Sequence, residues 1–299
     1  MIQIALLLGA LTAPPPKPVV TWTPARPAQG GFVMFRAVPA KGDSTIEGFT
    51  GHFAGEVLHF RRDSTGAFIA FGGVPVETRG NLDLPLAIAR TGGTTDSVVL
   101  KVPVLASKFG KETLSVDPQF TDQPDSALAA RIGREAILIR AAWIKTHQTP
   151  RLWTEPFARP RPSKITSGFG TGREFNGVVQ SRHLGVDFDG SVGSTIRASN
   201  AGVIELVGEF YYSGNIVIVN HGGGIATAYL HMSKLLVKEG DTIAKGQLIG
   251  LVGSSGRVTG PHLHWIAKYG TISVNPLTLL AVTAPPPRKA TRPPTRKPA

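Results

Sequence analysis

Residues 256–265 read GRVTGPHLHW, and this stretch decides the fold. A Gly/Thr/Pro turn runs into an alternating His-Leu-His-Trp, the period of a strand with one polar and one apolar face. His262 and His264 then project side by side, while Leu263 and Trp265 face the other way. Imidazole is the commonest metal-ligating side chain and the one that titrates nearest neutrality. A pair of imidazoles on one strand can therefore supply a ligand and a proton acceptor from the same rigid element.

The texture around this stretch is the same from about residue 165 to 280. Short apolar runs such as GNIVIVNHGGGIATAYLHM and DTIAKGQLIGLVGSSG are punctuated by glycine turns, the signature of many strands rather than long helices. The chain of 299 residues carries 35 Gly and 24 Pro, in keeping with that reading. Upstream, from about residue 19 to 116, segments such as GGFVMFRAV, GAFIAFGGVPV and DSVVLKVPV predict a small antiparallel sandwich. Between the two, PDSALAARIGREAILIRAAWI (124–144) changes character and predicts one helix, with Pro124 and Asp125 suited to its first turn and Gly133 weakening it. The fold class expected is mainly all-β, in five parts. Residues 1–18 are an export signal with a Pro-rich start, 19–120 an N-terminal β domain, 121–164 a helical connector and linker, 165–283 the histidine-bearing β domain, and 284–299 a basic Pro-rich tail.

Five of the eight histidines, His183, His221, His231, His262 and His264, fall in the C-terminal part. In SRHLGVDFDG (181–190) an extended backbone places His183, Gly185 and Asp187 on one face and Leu184, Val186 and Phe188 on the other. His183 and Asp187 with one of the HLH pair make three N/O donors, the number that catalytic zinc takes while keeping a fourth position open for water. Cysteine is absent, so thiolate ligation and disulfides are excluded. In TAYLHMS (227–233) strand periodicity places Tyr229 and His231 on a common face, and a histidine outside the ligand set could orient water or stabilise an oxyanion. His221, in NHGGG, reads as a turn residue. His52, His59 and His147 read as structural or surface residues.

Together HLGVD, YLHMS, GRVTGPHLHW and the following VNP resemble the lysostaphin/LytM-type zinc metallopeptidases, which cut peptide bonds in bacterial peptidoglycan. The resemblance covers residues 165–280. It implies a lysostaphin-like antiparallel β-sheet, with His183, Asp187 and His264 as ligands of Zn2+ and with His231 and His262 as the catalytic pair. Leu184 stands where the family often has Thr or Ser. The upstream β-rich region and helix resemble, more loosely, the accessory region of Gram-negative members. The activity implied is endopeptidase cleavage of peptidoglycan cross-links, at D-alanyl–diaminopimelate bonds for an exported Gram-negative-type member. The alternative implied is a non-catalytic wall-binding module that activates an amidase, which retention of every ligand disfavours.

Charge and termini agree with an envelope setting. The formal net charge of +12 favours an anionic partner, and peptidoglycan with its associated polymers is largely anionic. The apolar run 2–11 is too short for a permanent span and resembles an export signal, so a periplasmic or cell-envelope location is expected. The tail APPPRKATRPPTRKPA holds five basic residues and no acid, and cannot build a core. No basic platform interleaved with aromatics points to nucleic acid. Asp187 speaks against a phosphohistidine carrier, which uses paired histidines without this donor set.

Overall fold

A computed structural model describes residues 16–284. The export-signal expectation at 1–18 and the basic tail at 284–299 fall almost wholly outside the described residues.

Two four-stranded antiparallel sheets occupy the N-terminal part. One runs Val19–Thr23, Phe32–Val38, Phe68–Gly73, Arg61–Arg62 in spatial order, the other Glu56–Val57, Ile46–Phe53, Asn81–Arg90, Thr95–Pro103. Alternate residues of both turn inward, so Ala37 and Phe68 from the first meet Ile46, Phe49 and Ile88 from the second in one buried cluster. A second cluster carries Phe32, Phe35 and Phe71 onward to Tyr269, Val274 and Leu279 near the chain's C-terminal end. Phe32 and Tyr269 meet edge to face at 6.1 Å. The apolar core therefore runs without a break from the first sheets into the last.

The C-terminal part is a ten-stranded antiparallel sheet. Its main path runs Ile165–Ser167, Val186–Asp189, His262–Tyr269, Ile225–Leu235, Gly214–Gly222, Gly202–Phe210, Thr242–Ile243. One face is sealed by Phe188, Tyr229, Leu263, Trp265 and their neighbours, all fully buried. On the other face, near the far end of the sheet, lies α1 (Ser126–Lys145), which inserts Ala142 and Trp143 among Leu206, Ile216, Ile218 and Ala228. The Asp125 carboxylate accepts from the Leu128 backbone N–H at 2.8 Å and caps α1, so Pro124 and Asp125 precede the helix rather than form its first turn. A second helix, α2 (Pro276–Thr283), was not expected. Its start is capped by Asn275, which accepts from Leu277 N–H, with Pro276 in its first turn. No helix among the described residues is long and apolar enough to cross a membrane.

A small three-stranded sheet joins the two parts. Val179–Arg182 pairs antiparallel with Gly172–Phe175, and Gly172–Phe175 pairs in parallel with Lys111–Leu114 from the upstream segment. This short sheet stands beside the open face of the large sheet and forms one wall of the groove described next.

Candidate metal centre

The HLHW strand pairs with Val186–Asp189 in the register Asp187↔His264 and Phe188↔Leu263. Directly opposed residues share a face, so the polar set lands on the open side and Phe188 and Leu263 on the sealed side. His183 differs from expectation. It lies in the connection between Val179–Arg182 and Val186–Asp189, not on a strand, and reaches Asp187 by a turn of the chain rather than by strand alternation. Gly185 makes that turn possible. A Cβ there would come within 2.7 Å of the His264 imidazole and 2.6 Å of the Trp265 carbonyl oxygen.

Three donor atoms converge. His183 Nε2 is 3.0 Å from Asp187 Oδ1 and 2.8 Å from His264 Nδ1, and His264 Nδ1 is 2.7 Å from the same Oδ1. His183 Nδ1 lies 2.8 Å from the Gly168 carbonyl oxygen, which requires its proton there and leaves Nε2 as a bare acceptor. At most one proton can be shared among the lone pairs of these three groups, whereas one divalent cation satisfies all of them. All three residues are buried. Two imidazoles and a carboxylate, with no thiolate, are the donor chemistry of a zinc centre, and these residues fit it.

The electrostatics are consistent with a cation site. Burial pushes the Asp187 carboxyl up, but the His183 and His264 imidazoles set against it outweigh burial and hold the group well below the usual carboxylate range. Burial is also the largest influence on His264, lowering it to about 4 against the pull of Asp187. Both ligands are thus held in the form that binds metal at neutral pH. The second carboxylate oxygen of Asp187 accepts from Arg173 at 2.5 Å. Arg173 also donates to Ser167 Oγ and, through Nε, to Glu112 Oε2 at 3.2 Å, and Ser167 donates to Glu112 Oε1. Sequence reading missed this buttress. Arg173 carried no motif, and Glu112 sits far upstream in the chain.

Two further imidazoles flank the donors. His262 Nδ1 is 2.8 Å from the Gly260 carbonyl oxygen and His231 Nδ1 is 2.8 Å from that of Ser255. Each Nδ1 donates its proton to that carbonyl, so each ring presents Nε2 outward, and His262 Nε2 lies 3.7 Å from Asp187 Oδ1. The two rings pack with centroids 5.0 Å apart. Burial first, then the neighbouring His262 and His264, lowers His231 well below the ordinary histidine value. His231 reaches the site by an unexpected route. Residues 229–232 oppose only 215–217, a bulge, and His231 takes a positive φ of 63°. The expected common face for Tyr229 and His231 is therefore not formed. Tyr229 stays opposite Trp265 in the sealed core, bonded through its hydroxyl to Ser199, while Leu230 lies opposite His264 and His231 turns toward the metal donors. A histidine held at positive φ is strained backbone of the kind that collects at functional sites.

The other four histidines lie away from the donors, and His52 is exposed on the strand Ile46–Phe53. His221 is fully buried within the strand Gly214–Gly222 rather than in a turn, with Nδ1 2.7 Å from the Ala201 carbonyl oxygen and Nε2 2.8 Å from Thr227 Oγ1. His59 and His147 bond each other at 2.8 Å, and His147 also bonds Glu56.

A groove runs past the donors. One cavity of about 340 Å3 touches Asp187, Asp189, His262, Thr259 and Glu112. Another of about 200 Å3 touches His183, His264, Leu184 and Tyr212. Arg173, Phe175, His231 and Arg257 line both.

An antiparallel β floor carrying two imidazoles and a carboxylate around one point, with two more imidazoles at the rim of a groove, defines a zinc metallopeptidase-type centre. Residues 181–276 match the model of peptidase family M23, and that segment is an M23 peptidase domain. It is 47% identical over 83 residues to Vibrio cholerae peptidoglycan DD-endopeptidase ShyA, a stretch covering 28% of this chain and 19% of that protein. It is 32% identical to the catalytic domain of lysostaphin from Staphylococcus simulans, over 40% of this chain and 92% of that one, with a TM-score of 0.37. A crystal structure from Pseudomonas aeruginosa assigned to M23 covers 85% of this chain and 94% of its own at 24% identity and a TM-score of 0.64, so the fold shared extends to the N-terminal sheets. The chain spans only 19–24% of the length of the curated relatives it matches first.

Proposed function

We propose that this protein is a zinc-dependent endopeptidase that hydrolyses peptide cross-links of bacterial peptidoglycan in the periplasm or cell envelope, at D-alanyl–diaminopimelate bonds. The observation that carries the reading is the convergence of three donors next to two imidazoles whose Nδ1 atoms are both tied to backbone carbonyls. The name of the Vibrio cholerae relative and the net charge of +12 support the substrate.

His183 Nε2, Asp187 Oδ1 and His264 Nδ1 hold the ion. When bound, zinc supplies Lewis acidity toward the scissile carbonyl and toward water at neutral pH. The chain's own residues manage protons and charge. His231 and His262 present Nε2, and one of them accepts the proton of the attacking water as its oxygen joins the carbonyl carbon. The C–N bond then breaks, and the proton passes to the departing amine, leaving a carboxylate and an amine. The other imidazole donates to the developing oxyanion. Arg173 fixes the orientation of Asp187 by donating to Oδ2, the oxygen turned away from the two imidazoles that would share the ion with it. The complete donor set leaves the amidase-activating alternative without support.

Mass spectrometry of muropeptides from purified sacculi tests the proposal. The wild-type protein is expected to release monomers from cross-linked dimers with cleavage at the D-alanyl–diaminopimelate bond, and H264A to release none. Unchanged dimers with the zinc-loaded wild type refute it.

A further inference from the structure

Arg257 stands in the quoted motif, one residue after Gly256, and none of the chemistry above uses it. Its guanidinium carbon lies 4.2 Å from the centroid of Phe175 and 4.7 Å from that of Tyr212, so the group is held against two rings from separate segments of the chain. Nearby Arg173 is satisfied twice, by Asp187 and Glu112. Arg257 forms no ion pair among the described residues. Burial is the largest influence on it, lowering it, and the like charge of Arg173 lowers it further. A half-buried guanidinium stays charged and is costly to leave without an anion.

The backbone beneath it is locked. Arg257 N–H donates to the Tyr212 carbonyl at 3.0 Å. Gly256 has φ of 75°, and a Cβ there would lie 2.3 Å from Gly214 N, so the two loops interlock with no room for a side chain. Arg257 also belongs to both cavities that flank the donors, which places it beside whatever bond lies over the metal site.

We infer that Arg257 binds a substrate carboxylate next to the scissile amide, and so selects cross-links in which the carbon bearing the leaving amine also bears a free carboxylate. The inference rests on the function proposed above and narrows its substrate. A diaminopimelate cross-link has such a carboxylate, a lysine-type cross-link has hydrogen there, and amidated diaminopimelate has a neutral group. A planar fork of N–H donors suits a carboxylate, and the two rings keep that fork oriented.

The test uses the zinc-loaded full chain and two synthetic cross-linked peptides identical except that this carboxylate is free in one and a primary amide in the other. The wild type is expected to favour the acid in kcat/KM by about tenfold or more, the range for a hydrogen bond to a charged group. R257Q should raise KM for the acid and collapse the preference toward one, and R257K should retain part of it. Equal cleavage of both peptides by the wild type overturns the inference and leaves the proposed function standing, and this comparison needs no variant to fold. Full preference in a folded R257Q also overturns it. A wild type that cleaves neither peptide refutes the proposed function and the inference with it.

Discussion

Gly185→Ala is the smallest change that separates this centre from a generic histidine cluster. The new Cβ would sit 2.6 Å from the Trp265 carbonyl oxygen and 2.7 Å from His264 Cε1, where ordinary contact begins at 3.4 Å. Relief requires about 0.8 Å of movement, and neither neighbour can move freely. The carbonyl belongs to a paired strand, and the imidazole is fixed by bonds of 2.7 and 2.8 Å to Asp187 and His183. Metal sites tolerate displacements of about 0.2 Å, so the shift exceeds the tolerance several-fold. Zinc affinity should fall about 10- to 100-fold, the scale of effects from residues that orient ligands, and turnover at limiting zinc should fall with it. Overpacking should also cost about 1–3 kcal/mol of stability. Competition against a fluorescent chelator measures the affinity, and a urea melt confirms that the variant is folded. A folded G185A that holds zinc as tightly as the wild type would refute the claim that the turn at 185 positions His264.

Two more outcomes are expected. H231A and H262A should keep full zinc content while kcat falls about 10²- to 10⁴-fold, the usual contribution of a positioned acid or base, and loss of zinc from either would reassign that ring to the ligand set. His221 links stability to pH. Its folded value is lowered by burial from 6.5 to about 4, so the unfolded chain takes up the proton first. The stabilisation is complete above about pH 6.5 and is lost as pH falls toward 4, by about 3 kcal/mol. Denaturation midpoints across that window should fall more steeply for the wild type than for H221Q, and parallel curves would show that His221 does not titrate as described.

The HLHW strand was legible because strand alternation is a short-range rule. Every residue from His262 to Trp265 lies on the face its position predicts, and α1 begins within two residues of its expected start. His183 and His231 could be named as candidates, but their routes to the site could not be read. One depends on a turn around Gly185, the other on a bulge with positive φ, and both are set by packing against neighbouring strands. α2 lies outside the expected elements although Asn275-Pro276 is a helix-start signal, because VNP enters the sequence reading only through the family resemblance. Arg173 and Glu112 were invisible for a different reason. They meet through a parallel pairing between segments about sixty residues apart, a contact with no local trace in either segment.

Zinc titration of the metal-stripped protein, with new amine groups from sacculi counted at each addition, tests the central claim most directly. Turnover should rise in proportion to zinc and stop rising at one equivalent per chain, with H264A inactive throughout. Amine release that is already maximal before zinc is added, or that survives in H264A, would contradict a hydrolytic centre built on His183, Asp187 and His264.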